Sequence, residues 1–198
     1  MTVRWRVHAV APRSRANGPG MRYVIWTQGC TLGCMGCFNP ATHAPGGAGT
    51  GVPVADLVEA VLSEGAAVEG ATVSGGEPLE QPAALAAFGR AVKARSDLGI
   101  IVLTGYSRAE VAADTARSAA VADVDLVVAG RYVARRRLAG GHGLRGSDNK
   151  IYWYRTDRYR EADLAAVPDV EVVLGPDGSL TVTGIPAVAT GPAPGAPW

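Results

Sequence analysis

Through its first two thirds the chain alternates short apolar runs with segments whose apolar residues recur at helical spacing. Residues 22–27 (RYVIWT) form an apolar run of strand length. Residues 54–65 carry Leu57, Val58, Val61 and Leu62 on one helical face, with Gly65 placed to end the helix. Residues 70–74 predict the next strand, 82–95 a second helix with Leu85, Phe88 and Val92 in register, and 100–103 a third strand. Residues 107–120 open on Ser107 with Glu110 three positions later, a capping box, and predict a third helix. Residues 126–128 predict a fourth strand. Beyond Gly130 the alternation weakens, and 170–174 with 179–183, separated by Gly175-Pro-Asp-Gly178, reads as a hairpin.

Strands alternating with helices build a parallel sheet, so the fold class is α/β. Ligands of such sheets bind beyond the carboxyl ends of the strands. The chemically distinctive segments of this chain fall there. After the predicted strands come, in order, a cysteine-rich loop, Ser74-Gly-Gly-Glu-Pro78, Thr104-Gly-Tyr106 and Ala129-Gly-Arg131.

With 198 residues and 47% hydrophobic content, the chain can bury a substantial core as one domain over 1–198. Its centre lies at about 20–155, followed by the hairpin and a Pro/Gly-rich end over 156–198; residues 191–198 read as a loose tail. A net charge of +1 gives no reason to expect nucleic acid or a membrane surface as partner. Arg135, Arg136 and Arg137 read as a solvated basic run, with docking to an acidic partner as the functional alternative. No apolar stretch approaches the roughly 20 residues of a membrane span. Residues 1–15 hold four arginines and no apolar core segment, so no secretory signal is read there and a cytoplasmic location is expected.

Cys30, Cys34 and Cys37, in Gln28-Gly-Cys-Thr-Leu-Gly-Cys-Met-Gly-Cys-Phe-Asn-Pro40, are the chain's only cysteines. Their odd number and the expected reducing compartment disfavour a disulfide framework. A cubane iron–sulfur cluster has four iron corners and takes thiolate ligands, so three cysteines would leave one iron open. Zinc is the competing reading. It would need a fourth ligand from His8, His43 or His142, of which His43 is nearest but poorly spaced for a zinc finger.

The C-x3-C-x2-C spacing followed, about forty residues later, by Gly75-Gly-Glu-Pro78 resembles the radical S-adenosylmethionine (SAM) enzymes. The chain is most similar to their small glycyl-radical activases, such as the activators of anaerobic ribonucleotide reductase. The likeness runs from about Arg22 to about Tyr154 and includes Gly36 before the third cysteine, Phe38-Asn39 after it, Thr104-Gly-Tyr106 and Gly146-Ser-Asp-Asn-Lys150. Two positions depart from the pattern: Ala129 stands where an Asp is usual, and Lys150 where a Gln is.

The resemblance implies a partial (β/α) barrel of radical SAM type with a C-terminal hairpin extension. It implies a [4Fe–4S] cluster on Cys30, Cys34 and Cys37, with SAM chelating the open iron. Gly75, Gly76 and Glu77 would hold the methionyl amino group, Thr104 and Tyr106 would lie near the ribose or adenine, and Arg131 would pair with the carboxylate. Phe38, Asn39 and Gln28 flank the cluster, the last two as hydrogen-bond donors to it or as caps of the loop. The implied activity is reductive cleavage of SAM to methionine and a 5′-deoxyadenosyl radical that abstracts hydrogen. An electron donor of flavodoxin type and a glycyl-radical enzyme are the implied partners. A radical SAM enzyme acting on a small molecule or peptide is the alternative, with the hairpin helping to cover the site. An iron–sulfur protein without turnover is the remaining class, and Gly-Gly-Glu-Pro argues against it.

Overall fold

The structure is a computed structural model describing residues 2–46, 49–175 and 177–185. The chain opens with two strands ahead of the cysteine loop, β1 (Arg4–Ser14) and β2 (Arg22–Thr27), then β3 (Thr50–Pro53) and α1 (Val54–Ser63). It continues through β4 (Gly70–Gly75), α2 (Pro82–Lys93), β5 (Gly99–Thr104), α3 (Arg108–Ala112), α4 (Thr115–Ala120) and β6 (Leu126–Ala129). It ends with β7 (Ile151–Tyr154), α5 (Glu161–Ala165) and a hairpin of β8 (Val170–Leu174) and β9 (Leu180–Gly184). The predicted tail, 191–198, lies outside the described residues.

Seven strands form one sheet in the order β3-β1-β2-β4-β5-β6-β7. Its centre, β2-β4-β5-β6, is parallel, and β1, β3 and β7 join it antiparallel. The architecture is therefore mixed α/β, with β8 and β9 as a separate two-stranded antiparallel sheet. The parallel centre is the part that the apolar runs predict, because strands covered on both faces carry near-continuous apolar sequence.

Three strands escape that signal. In β1 the buried Trp5, Val7 and Ala9 alternate with the exposed Arg4 and Arg6, a period of two hidden among arginines. In β7 Ile151 and Tyr154 are exposed at the sheet edge, so no apolar run marks it. The single helix expected over 107–120 is two. Asp114, with φ −114° and ψ 117°, leaves helical geometry and accepts the Arg117 N–H at 2.9 Å, so it caps a new helix. The Ser107 and Glu110 capping box is present at the start of α3.

The two faces of the sheet differ. Ile25, Val73, Val102 and Val127 meet α1, α2 and α4 in the main core, where Trp5 stacks on Phe88 at 5.5 Å. The opposite face carries Ile101, Leu126 and Val128 beneath Leu144, Tyr159, Leu164 and Val167. No helix among the described residues is long and apolar enough to cross a membrane.

Candidate cofactor site at the strand ends

The cysteine loop leaves β2 through Gln28, whose side chain is completely buried. Its Nε2 donates to the carbonyls of Ala44 (2.6 Å) and Ala41 (3.3 Å), and its Oε1 lies 2.7 Å from His8 Nδ1. Gln28 thus braces the loop. The Gly29 N–H reaches Thr42 O at 2.7 Å, and Cys30 N–H reaches His43 O at 3.0 Å, so segment 41–44 backs the cysteines. Gly29, Gly33 and Gly36 take φ of 104°, 62° and 69°, left-handed turns that side chains resist.

Cys30, Cys34 and Cys37 are half-buried and line one cavity of about 390 Å³. That volume suits a small-molecule site. Burial pushes the Cys30 thiol up to about 11 and raises that of Cys37, with the Asn39 N–H opposing the rise at Cys37. Each of these two thiols feels another thiol of the set: Cys30 feels Cys37, and Cys37 feels Cys34. Among the described residues, no three His, Cys, Asp or Glu side chains converge as ligands of a single ion. A cubane makes a different demand, one thiolate on each of three irons.

The donor set fits that group. Three soft sulfurs on one loop face one cavity, a bound metal would draw them into the thiolate form, and Asn39 supplies an N–H to Cys37 Sγ at 3.4 Å. Asn39 acts there through its backbone rather than its amide. Phe38 lines the cavity, stacks on Tyr132 at 4.4 Å and lies under Arg137 at 4.7 Å. A Cβ on Gly146 would approach the Phe38 ring to 2.6 Å, which explains a glycine there.

The Gly-Gly-Glu-Pro segment is welded to the cysteine loop. Gly76 N–H donates to Thr27 O and Glu77 N–H to Gly29 O, each at 2.8 Å. A Cβ on Gly75 would meet Thr27 N at 2.4 Å, and one on Gly76 would meet Gly29 O at 2.4 Å. The close approach that these glycines permit is therefore to the protein's own backbone. Both still line the cavity, beside Ser74.

Glu77, expected to help hold an ammonium, lines the cavity and is also tied into the protein. It is 1% exposed, and its oxygens accept from Leu79 N–H (2.8 Å), Thr104 Oγ1 (2.7 Å) and Gly105 N–H (2.8 Å). Burial raises its pKa against the pull of those donors. The carboxyl ties the β4 turn to the β5 turn. Thr104 lines the cavity but is spent on Glu77 and on the Tyr106 N–H.

Tyr106 and Arg131 are not brought to the cavity wall. Tyr106 lies between two guanidinium groups, Arg117 at 3.9 Å and Arg131 at 5.0 Å from its ring. Arg131 is paired with Glu110 at 3.0 Å and donates to Gly105 O, so its fork is already engaged. The residue that faces the cavity instead is Lys150, with Arg145 and Leu144 from the same connection. Leu144 holds φ 73°, strained for a leucine. The glycines at 140, 141, 143 and 146 mark this loop in sequence, yet nothing in them says that it folds back over the cysteines. The hairpin also reaches the site, through Val182, Thr183 and Gly184.

The fold and site define a class: an α/β protein that presents a thiol-lined cofactor cavity beyond its parallel strands. Residues 16–153, more than two thirds of the chain, match the family described as 4Fe-4S single cluster domain, and the chain belongs to that family. It is 40% identical over 79 residues to the pyruvate formate-lyase-activating enzymes of Staphylococcus epidermidis and Staphylococcus aureus. That segment is 38% of this chain and 32% of either relative, so the match spans about a third of their length.

Proposed function

We propose that the chain is a radical SAM activase: Cys30, Cys34 and Cys37 hold a [4Fe–4S] cluster, SAM occupies the adjoining cavity, and the hydrogen donor is a glycine Cα of a glycyl-radical enzyme. The sheet is read as the partial barrel of that class. The single observation carrying the proposal is the convergence of all three thiols and of Ser74, Gly75 and Gly76 on one cavity, in a chain of the 4Fe-4S single cluster family. Likeness to the pyruvate formate-lyase-activating enzymes supports the choice of target.

When bound, the cluster, reduced by an external donor, would pass one electron to SAM, which would be cleaved to methionine and a 5′-deoxyadenosyl radical able to take a hydrogen atom and become 5′-deoxyadenosine. The chain's residues bind and enclose. Gln28 and the 41–44 segment fix the cysteine loop, and Glu77 locks the two neighbouring turns beside the cavity, where Gly75, Gly76 and Glu77 would hold the methionyl amino group. Backbone of Gly75 and Gly76 offers the polar edge of the cavity. An electron donor of flavodoxin type in a cytoplasmic setting completes the reading.

One observation favours a second substrate class. Val182, Thr183 and Gly184 wall the cavity, and Thr183 Oγ1 is anchored to Ser14 Oγ at 3.0 Å, so the hairpin narrows the opening that a partner's loop would use. A small molecule or short peptide would pass more easily. With dithionite and SAM, adding a glycyl-radical enzyme from the same source is expected to give a glycine-centred doublet in the paramagnetic resonance spectrum of that enzyme. Deuterium passing into 5′-deoxyadenosine from a labelled metabolite or peptide, with no doublet, would replace the activase reading by the biosynthetic one.

A further inference from the structure

We infer that Lys150 is a fixed counter-charge to the three-cysteine site and sets the reduction potential of the group that the thiols hold. The inference rests on the proposed cluster and adds a role that neither the family match nor the relatives' names assign.

Lys150 begins the turn into β7, where its N–H donates to Ser147 O at 3.3 Å and its backbone passes beside Gly130. Asn149 Nδ2 donates to Arg131 O at 2.9 Å and holds this turn against the end of β6. The side chain lies along the cavity wall shared with Cys34 and Cys37. Its ammonium makes no hydrogen bond or ion pair among the described residues.

The charged and titratable groups that Lys150 feels are Glu77, Cys34 and Cys37. Glu77 is not an adequate partner, because Leu79, Thr104 and Gly105 already serve its oxygens. Lys150 is half-buried, and a partly desolvated cation without a partner is costly, so proteins otherwise pair such groups. The missing negative charge arrives when the three sulfurs become thiolates on a cluster.

A cubane with three thiolates is anionic, and one-electron reduction makes it more so. A nearby fixed cation stabilises the reduced form more than the oxidised one, and low-dielectric surroundings strengthen that preference. Lys150 therefore raises the potential at the site. A neutral residue there would leave a harder cluster to reduce.

The test is a paramagnetic-resonance-monitored redox titration of anaerobically reconstituted protein, without SAM, on wild type, Lys150→Arg, Lys150→Gln and Lys150→Glu. Lys150→Gln is expected to lower the reduction equilibrium constant about tenfold, a shift of ~59 mV for one electron. Lys150→Glu should fall further, and Lys150→Arg should stay near wild type. A purely structural role would move Arg and Gln variants alike. Unchanged potentials in cluster-loaded Lys150→Gln and Lys150→Glu overturn the role of Lys150 alone. Wild-type protein that binds no iron and sulfide under the same conditions overturns the cluster reading and this inference together.

Discussion

Arg22, fully buried, and Lys150, half-buried, are cations at opposite ends of the sheet, and they are treated in opposite ways. Arg22 starts β2 and is completely buried. It donates to Ala71 O (2.6 Å), Gly99 O (2.8 Å), Tyr159 Oη (2.8 Å) and Thr72 Oγ1 (3.2 Å). Lys150 faces the cavity with no such partner among the described residues. Burial lowers the pKa of both, and Tyr159 opposes it at Arg22. The difference separates architecture from function. Arg22 closes every gap in its surroundings, stitching β2, β4, β5 and the segment before α5. Lys150 leaves one open where a ligand's charge can enter.

The contrast breaks most visibly at Arg22. Arg22→Met would strand two strand carbonyls and the Tyr159 hydroxyl in the interior, at about 1–3 kcal/mol for each unsatisfied group. Urea unfolding is expected to show a loss of about 3–5 kcal/mol, the low end of the sum over those groups. A loss below about 1 kcal/mol would mean that water replaces the guanidinium freely.

Gly76→Val comes next. The new side chain would press on Gly29 O, one residue before Cys30, so both stability and iron retention should fall, the former by about 1–3 kcal/mol as for overpacking. Normal iron content with weakened SAM binding alone would restore a direct ligand role to the glycine and contradict its packing role.

A smaller effect is expected at His142, 1% exposed with neither ring nitrogen hydrogen-bonded. Burial lowers its pKa, Asp169 opposes the shift and Arg137 adds to it. A base whose folded pKa is depressed costs the fold nothing while neutral. As pH falls through the unfolded value of about 6.5, the unfolded chain takes the proton more readily and stability declines. Thermal midpoints at pH 7.5 and 5.5 should therefore diverge more for wild type than for His142→Gln; equal divergence would remove His142 from the pH response.

Least affected should be the metal-free Lys150→Met protein. Removing a half-buried, unpaired ammonium is expected to leave its thermal midpoint unchanged or raise it. A clear drop would show that Lys150, like Arg22, is part of the architecture.

The parallel centre of the sheet was legible because two-sided burial writes itself as unbroken apolar runs, as in residues 100–103. The cysteine loop was legible because three thiols in eight residues serve few purposes. The Gly-Gly-Glu-Pro segment could be found but not understood. Sequence cannot distinguish a glycine that admits a ligand from one that admits a neighbouring strand, and Gly75 and Gly76 do the second while lining the cavity. Tyr106 and Arg131 were expected near the cofactor from the resemblance and from their place after strand ends. What sequence did not show is that Arg117 covers the Tyr106 ring and Glu110 pairs with Arg131, on helices beside them. Lys150 stood out only as a departure from a pattern, since its position depends on a long glycine-rich connection whose path back over the cysteines no local periodicity encodes.

The most direct test of the central claim is the metal content of the purified chain after anaerobic reconstitution with iron and sulfide. Wild type should hold about four iron and four sulfide per chain, and replacing Cys30, Cys34 or Cys37 by Ala should abolish SAM cleavage. Stoichiometric zinc with negligible iron would contradict it.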